Sequence, residues 1–332
     1  MVSKIKTADD RALAEAAELL RAGELVAFPT ETVYGLGADA RSDSAIKKIY
    51  EAKGRPGGNP VIVHVASAEA AHGFAAAWPA AAQRLAEKFW PGPLTMIVRR
   101  GAGLSPLVSA GRETVALRVP SHPVAAELLR AFAGPIAAPS ANRSGFTSPT
   151  TAQHVLAELG GRVPLVIDGG ACAVGLESTV LDLSGDVPRI LRPGAVTAEM
   201  LREVVGRVEN VQAVVSEEDS AISPGLHLQH YAPRKPAFRF AADNWNDARA
   251  WADVNGPVAL LTWSDAISLP APHETMRLPD DAAAYARILY AAMREADDKA
   301  VAAILVLMPE SRAGMWAAVE DRLNRATKPM ST

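Results

Sequence analysis

One cysteine, Cys172, stands in 332 residues. That excludes an intramolecular disulfide and any multi-cysteine metal site. Set in Gly169-Gly170-Ala171-Cys172-Ala173, it reads as a small buried filler rather than a nucleophile. Aromatic residues make up only 5% of the chain, too few for an aromatic-stacking RNA module. No apolar run approaches the ~18 residues of a membrane span, so no membrane partner is expected. Residues 1–6 lack the apolar core of a signal peptide, which makes a cytoplasmic location the expectation. A charge excess is missing too: 34 Lys+Arg face 37 Asp+Glu, for a net charge of −3. Up to Lys235 the count is 24 cations against 24 acids, and beyond it 10 against 13. Neither part is a polycation, which weighs against tight nonspecific nucleic-acid binding but leaves room for a local basic groove.

Several phosphate and metal motifs are also lacking. There is no G-x-x-x-x-G-K-[ST], so a P-loop enzyme is excluded. Gly35 to Ala40 spells G-x-G-x-x-A, but Pro29 to Tyr34 separate it from the preceding strand and Glu51 falls in a helix. A dinucleotide site needs the glycine at the strand end and an acid closing the next strand, so that reading is rejected. His227 and His230 lie three apart on a Pro/Gly-rich stretch with no acid nearby, a poor zinc site. No Ser/His/Asp arrangement has a local signature.

What is present is alternating strand and helix. Hydrophobic residues make up 49%, enough for two ordinary cores. Helical spacing runs over residues 9–22 and stops at Gly23. Strands are expected at 25–28, 61–65, 94–98, 115–119, 135–138, 165–168 and 178–183, with helices near 67–77, 80–89 and 151–159. Asp43 is placed to cap a helix running through Lys53, and another helix starts near Thr197. The run Thr30 to Ala38 looks too polar and glycine-rich for core. Residues 209–235 are acidic, polar and broken by Pro and Gly, and read as a linker. Beyond it, strands at 257–262 and 301–307 and helices at 281–297 and 313–325 make a small βαβα unit. The class is α/β.

Four places carry candidate chemistry. Lys53-Gly54-Arg55-Pro56-Gly57-Gly58-Asn59-Pro60 is a stiff loop with two cations and an amide; it suits polyphosphate but is equally a solvated turn. Arg118, alone on an apolar strand, needs a partner, which is either an internal acid or a ligand carboxylate or phosphate held bidentately. His64 poses the same choice between a satisfied core histidine and a ligand contact. Ser140, Ser144, Thr147 and Ser148 crowd one loop, where they either cap helices and turns or meet phosphate and ribose. Together with Arg192 in Leu191-Arg192-Pro193-Gly194, these groups suggest a site for a nucleotide plus a small anionic co-substrate.

The same stretches resemble one family. Phe28 to Gly37, Lys53-Gly54-Arg55-Pro56 with Asn59-Pro60, and Trp90-Pro91-Gly92-Pro93-Leu94-Thr95 look like the YrdC-type threonylcarbamoyl-AMP synthases. So do Leu117-Arg118-Val119-Pro120, Pro139-Ser140-Ala141-Asn142 with Ser144-Gly145, Glu177-Ser178-Thr179-Val180, and Leu191-Arg192-Pro193-Gly194. The matches run in order over about residues 10–205. Ser223-Pro224-Gly225 and His230-Tyr231-Ala232-Pro233 are similar to the linker of the longer, two-domain members, although Gln229 stands where a basic residue is expected. The resemblance implies a YrdC-like catalytic domain at 1–208, a linker or lid over the active site at 209–235, and a small Rossmann-like domain at 236–332. The implied fold is a twisted open mixed sheet with a concave basic face, followed by a small parallel α/β domain.

The implied reaction joins L-threonine, bicarbonate or carbon dioxide, and ATP into threonylcarbamoyl-adenylate and pyrophosphate. A separate transferase complex then modifies tRNA next to the anticodon. By resemblance, Thr32, His64, Arg118, Ser178 and the backbone of Ala138 hold threonine. Arg55, Asn59, Thr114, Ser140, Ser148, Arg192 and Tyr231 hold ATP, with Lys53 and Arg55 at the phosphates. Magnesium is expected to arrive with ATP, since no protein ligand set is identifiable. A weak tRNA contact belongs to the same expectation, and two rivals stand beside it: an RNA-binding translation factor using the basic face without chemistry of its own, and a carbamoyltransferase using carbamoyl phosphate.

Overall fold

In a computed structural model the described residues are 2–210 and 231–330. They fall into two compact units, one of residues 1–144 and 148–227, the other of 145–147 and 228–332. Most of the stretch read as a linker, residues 211–230, lies outside the described residues, and with it Gln229 and His230.

The first unit begins β1 (Lys4–Thr7), α1 (Asp10–Arg21), β2 (Val26–Phe28), β3 (Gly35–Asp39), α2 (Asp43–Lys53) and β4 (Ile62–His64). It continues through α3 (Ala68–His72), α4 (Ala80–Phe89), β5 (Leu94–Arg99), β6 (Thr114–Arg118), α5 (Pro123–Phe132) and β7 (Ile136–Ala137). It closes with α6 (Ala152–Leu159), β8 (Leu165–Asp168), β9 (Thr179–Asp182), β10 (Arg189–Arg192), α7 (Ala198–Val205) and β11 (Glu209–Asn210). The strands form one mixed sheet in the order β1-β8-β2-β3-β7-β4-β6-β5-β9-β10-β11. Apolar side chains fill both faces: Leu13, Leu20, Leu128 and Phe132 of α1 and α5 pack with Phe28 and Ile167, while Ile46, Ile49, Leu85 and Phe89 join the larger cluster with Val63, Met96 and Leu117. Strands covered on both faces read as continuous apolar runs, which is why β5 and β6 were plain in the sequence.

Two expectations need correction. Residues 30–38 are all buried, and Gly35–Asp39 is a strand in the middle of the sheet. The polarity that argued against core is satisfied locally, with Thr30 Oγ1 bonded to Thr32 Oγ1 at 2.8 Å and to the Val33 carbonyl at 2.7 Å. The glycines are there for close packing: a Cβ on Gly37 would stand 2.8 Å from the Phe28 ring. The cap of α2 is Ser42, whose hydroxyl accepts from the Ala45 N–H; Asp43 is the first helical residue.

The second unit contains β12 (Ala237–Phe240), α8 (Trp245–Asn255), β13 (Val258–Thr262), β14 (Glu274–Arg277), α9 (Ala282–Asp298), β15 (Ala303–Leu307), α10 (Trp316–Ala326) and β16 (Lys328–Pro329). Its five strands pair in parallel in the order β14-β13-β15-β12-β16. The expected β13, α9, β15 and α10 are present. The elements β12, α8, β14 and β16 are additions, short or weakly apolar segments that packing rather than pattern defines.

Candidate active site

The site grows from strand pairing. β4 and β6 run parallel with His64 beside Arg118 in register, so both side chains emerge at the carboxyl end of adjacent strands. β7 pairs antiparallel to β4, and the Ala138 N–H donates to the Ile62 carbonyl at 2.9 Å. β5 brings Leu94 level with Thr179 of β9. That register sets Ser178 at the same end of the sheet, its hydroxyl 2.7 Å from Thr95 Oγ1. His64, Arg118 and Ser178, with Thr32 held by Arg118, are thereby gathered at one end of these strands, and Ala138 lies opposite Ile62 at the start of β4.

Arg118 is 3% exposed and well held. Its Nε donates to the Gly92 carbonyl at 3.2 Å and its Nη1 to Thr32 Oγ1 at 2.9 Å. Its Nη2 stands 2.7 Å from the Glu31 carboxylate, an ion pair out of line for a hydrogen bond. A guanidinium has five N–H groups, so these contacts fix its plane without using all its donors. Burial, the largest single influence, pushes the Glu31 carboxyl up, but the Arg118 guanidinium and the backbone N–H groups of Glu31 and Ser121 together outweigh it and hold the group below its ordinary value. His64 is 2% exposed, edge-on to Phe28 at 6.3 Å, and its Nδ1 has no hydrogen-bond partner among the described residues. Burial, then the neighbouring Arg118 charge, pulls its pKa down to about 3. The imidazole is neutral near pH 7.

The second half of the site lies toward the amino ends of the same strands. Asn59 and Arg55 precede β4, and Thr114 opens β6 four residues before Arg118, about 13 Å away at ~3.3 Å per strand residue. Arg55 Nη2 donates to the Pro60 carbonyl at 2.9 Å and its Nε to the Asn59 carbonyl at 3.4 Å. The Lys53 ammonium donates to the Ser140 carbonyl at 2.5 Å and also to the Asn142 carbonyl. The basic loop and the hydroxyl-rich loop, far apart in sequence, are thus tied together. Burial, and then the Arg55 charge, drops the Lys53 pKa well below the lysine range. Ser140 bridges to Gly35, and Ser148 Oγ donates to Glu177 Oε1 at 2.5 Å. Arg192 is bound to Ser178 of the first half: its Nε and Nη2 donate to the Ser178 carbonyl at 3.1 and 3.0 Å, and Nη2 reaches Ser178 Oγ at 3.2 Å. Gly194 permits this packing, since a Cβ there would lie 2.4 Å from the Thr179 nitrogen.

Tyr231, like Thr147, falls in the second unit; it is 1% exposed with a left-handed φ of 65°. Cys172 is buried, and burial pushes its thiol up to about 12, as befits a filler. Sequence reasoning missed Glu31, Thr95 and Glu177. The only signal for Glu31 was a carboxylate in a stretch that contained nothing to neutralise it. Among the described residues no group of three or more His, Cys, Asp or Glu could hold a metal ion. No helix among them is long and apolar enough to cross a membrane.

Comparison with known proteins bears on this arrangement. A family profile described as "Telomere recombination", covering Sua5, YciO and YrdC, matches residues 18–194. A second, described as "Threonylcarbamoyl-AMP synthase, C-terminal domain", matches residues 196–327. A threonylcarbamoyl-AMP synthase of Bacillus subtilis is 49% identical over 69% of this chain and 66% of its own length. One of Pyrococcus abyssi is 39% identical over 94% and 93%. The crystal structure of Pyrococcus abyssi Sua5 complexed with L-threonine superposes with a TM-score of 0.90 at 36% identity, covering 99% of both chains. Escherichia coli YciO shares the fold alone, with a TM-score of 0.51 at 24% identity over 58% of this chain and 96% of its own.

Proposed function

The chain belongs to the threonylcarbamoyl-AMP synthase family, and we propose that it condenses L-threonine, bicarbonate or carbon dioxide, and ATP into threonylcarbamoyl-adenylate and pyrophosphate. The observation that carries the reading is the pair of half-sites on one sheet. A buried guanidinium and a neutral imidazole lie at the carboxyl ends of β4 and β6, and two basic and hydroxyl-bearing loops lie toward their amino ends.

Threonine sits at the first half. Arg118 takes its carboxylate with the N–H groups that Gly92, Thr32 and Glu31 leave over. Thr32 and Ser178 orient its amine and hydroxyl, and the backbone at Ala138 and the neutral His64 complete the pocket. The threonine amine, once deprotonated, adds to carbon dioxide to give a carbamate. A carbamate oxygen then attacks the α-phosphorus of ATP, the bond to the β-phosphate oxygen breaks, and pyrophosphate leaves. Arg55, Asn59, Thr114, Ser140, Ser148, Arg192 and Tyr231 hold the nucleotide, with Lys53 and Arg55 facing its phosphates. ATP enters as its magnesium complex, so the ion belongs to the substrate. No covalent intermediate on the protein is required; catalysis is positioning and charge stabilisation.

The division into a catalytic domain at 1–208, a linker at 209–235 and a C-terminal domain at 236–332 is part of the same proposal. So are a cytoplasmic setting, weak tRNA contact on a basic face, and a downstream transferase that places the threonylcarbamoyl group on tRNA. The test is pyrophosphate release from magnesium and ATP with threonine and bicarbonate each added or withheld. Release requiring both, and lost in Arg118→Ala, supports the reading. Release indifferent to threonine overturns it and turns attention to carbamoyl phosphate.

A further inference from the structure

Four groups of the first unit are joined in one line of hydrogen bonds, and the line has a direction. Arg118 Nη1 donates to Thr32 Oγ1 at 2.9 Å, Thr32 Oγ1 lies 2.8 Å from Thr30 Oγ1, and Thr30 Oγ1 lies 2.7 Å from the Val33 carbonyl. A hydroxyl has one hydrogen to give, and a carbonyl can only accept. The Thr30 hydrogen therefore goes to Val33, and in the contact between the two threonines Thr32 is the donor. Thr32 Oγ1 has then given its hydrogen to Thr30 and one lone pair to Arg118. A single lone pair is left, so toward anything else Thr32 acts only as an acceptor. The main-chain N–H groups of Thr32 and Val33 also reach Thr30 Oγ1, at 3.2 and 3.3 Å, and help to hold it. Both threonines are buried, so bulk water does not reset the order.

Other atoms at this place lack a partner. Arg118 Nη2 and His64 Nδ1 are buried with no hydrogen-bond partner among the described residues, and buried polar atoms left over in a native fold point to one. We propose that Thr30 is a positioning residue for the threonine half of the reaction, fixing Thr32 as an acceptor for the substrate amine. The proposal rests on the reading of Arg118 as the clamp for the threonine carboxylate. With that carboxylate on Arg118, the α-amine one carbon away is the substrate donor nearest Thr32. The chemistry requires this polarity. The amine must keep its lone pair free to attack carbon dioxide, and an acceptor holds an N–H without touching that pair. A hydroxyl free to turn would donate into the pair and quench it. The turn itself does not depend on the Thr30 hydroxyl. The Glu31 and Thr32 carbonyls accept from the Val174 and Gly175 N–H groups at 2.8 and 3.1 Å, and the Tyr34 N–H donates to the Pro149 carbonyl at 2.9 Å.

The test is steady-state pyrophosphate release by the full-length chain, with threonine and ATP each varied. Thr30→Val keeps the branched shape and removes the hydroxyl; circular dichroism checks that it folds. It should lower kcat/KM for threonine about tenfold, the ordinary size of one hydrogen bond, with the KM for ATP within about twofold of wild type. Thr30→Ser retains the hydroxyl and should recover most of the loss. If Thr30→Val does not fold, Thr30→Cys, whose thiol is a weak donor, carries the same comparison against Thr30→Ser. A rise in the KM for ATP as large as the fall in kcat/KM for threonine would mean a merely structural role and would overturn the proposal. So would an unaltered kcat/KM for threonine in folded Thr30→Val, or a serine variant as impaired as the valine one. Wild-type release indifferent to threonine would instead overturn the assignment of the threonine pocket, and the relay with it.

Discussion

At Arg118 two demands meet in one side chain. The guanidinium neutralises a buried acid, Glu31, and is assigned to a substrate carboxylate as well. Arg118→Met strands the Glu31 charge and should cost about 3–5 kcal/mol of stability, as breaking a buried pair does. The double variant Arg118→Met, Glu31→Gln should regain most of that in a denaturant titration. It should still show no threonine-dependent pyrophosphate release. Recovery of both would mean that Arg118 serves the fold alone. His64 gives a pH signature. Its folded pKa, about 3, lies below the ordinary 6.5, so the unfolded chain takes up the proton first as the pH falls. The stability this neutral histidine preserves is complete above pH 6.5 and drains away between 6.5 and about 3. His64→Gln should therefore flatten the acid limb of a stability–pH curve in that window; an unchanged slope would contradict the burial argument. The sequence marked both residues, because a lone polar group on an apolar strand is conspicuous. It could not name Glu31 as the partner, since pairing across the sheet depends on the strand order, which no local pattern encodes.

Among the elements, the loops matter more than the strands that carry them. The Lys53 ammonium binds carbonyls of the loop at 139–150, and Arg192 binds the start of β9. The first joins segments 87 residues apart, the second the neighbouring strands β9 and β10. Gly194→Ala tests the second join, because its Cβ would crowd the Thr179 nitrogen and the Ser178 carbonyl carbon. It should displace Ser178 and Arg192 together, raising the KM for threonine at least several-fold while the protein remains folded. A variant with wild-type KM values would show that the close approach is not needed. Elements with apolar runs, such as β5 and β6, were legible in advance. β3 was not, because its composition mimics a loop and only its burial between β2 and β7 makes it a strand. β12 and β14 were hidden for a related reason: short, partly exposed segments become strands when a neighbour pairs with them.

At the scale of the whole molecule, two compact units should respond unequally to ligands. L-Threonine at 100 times its Kd stabilises what binds it by about 2.7 kcal/mol. In scanning calorimetry that gain should appear in the transition of the first unit, and the transition of the second should stay in place. A uniform shift of the whole unfolding profile would indicate that the units unfold as one. The central claim, however, concerns chemistry: a carbamate made from threonine and carbon dioxide is joined to the AMP portion of ATP. The most direct measurement is mass spectrometry of the reaction with ¹³C-bicarbonate, L-threonine and magnesium ATP. The account predicts an adenylate carrying one threonine and one ¹³C, formed in step with pyrophosphate and absent when threonine is withheld. An adenylate without the label, or pyrophosphate formed with no adenylate of threonine, would contradict it.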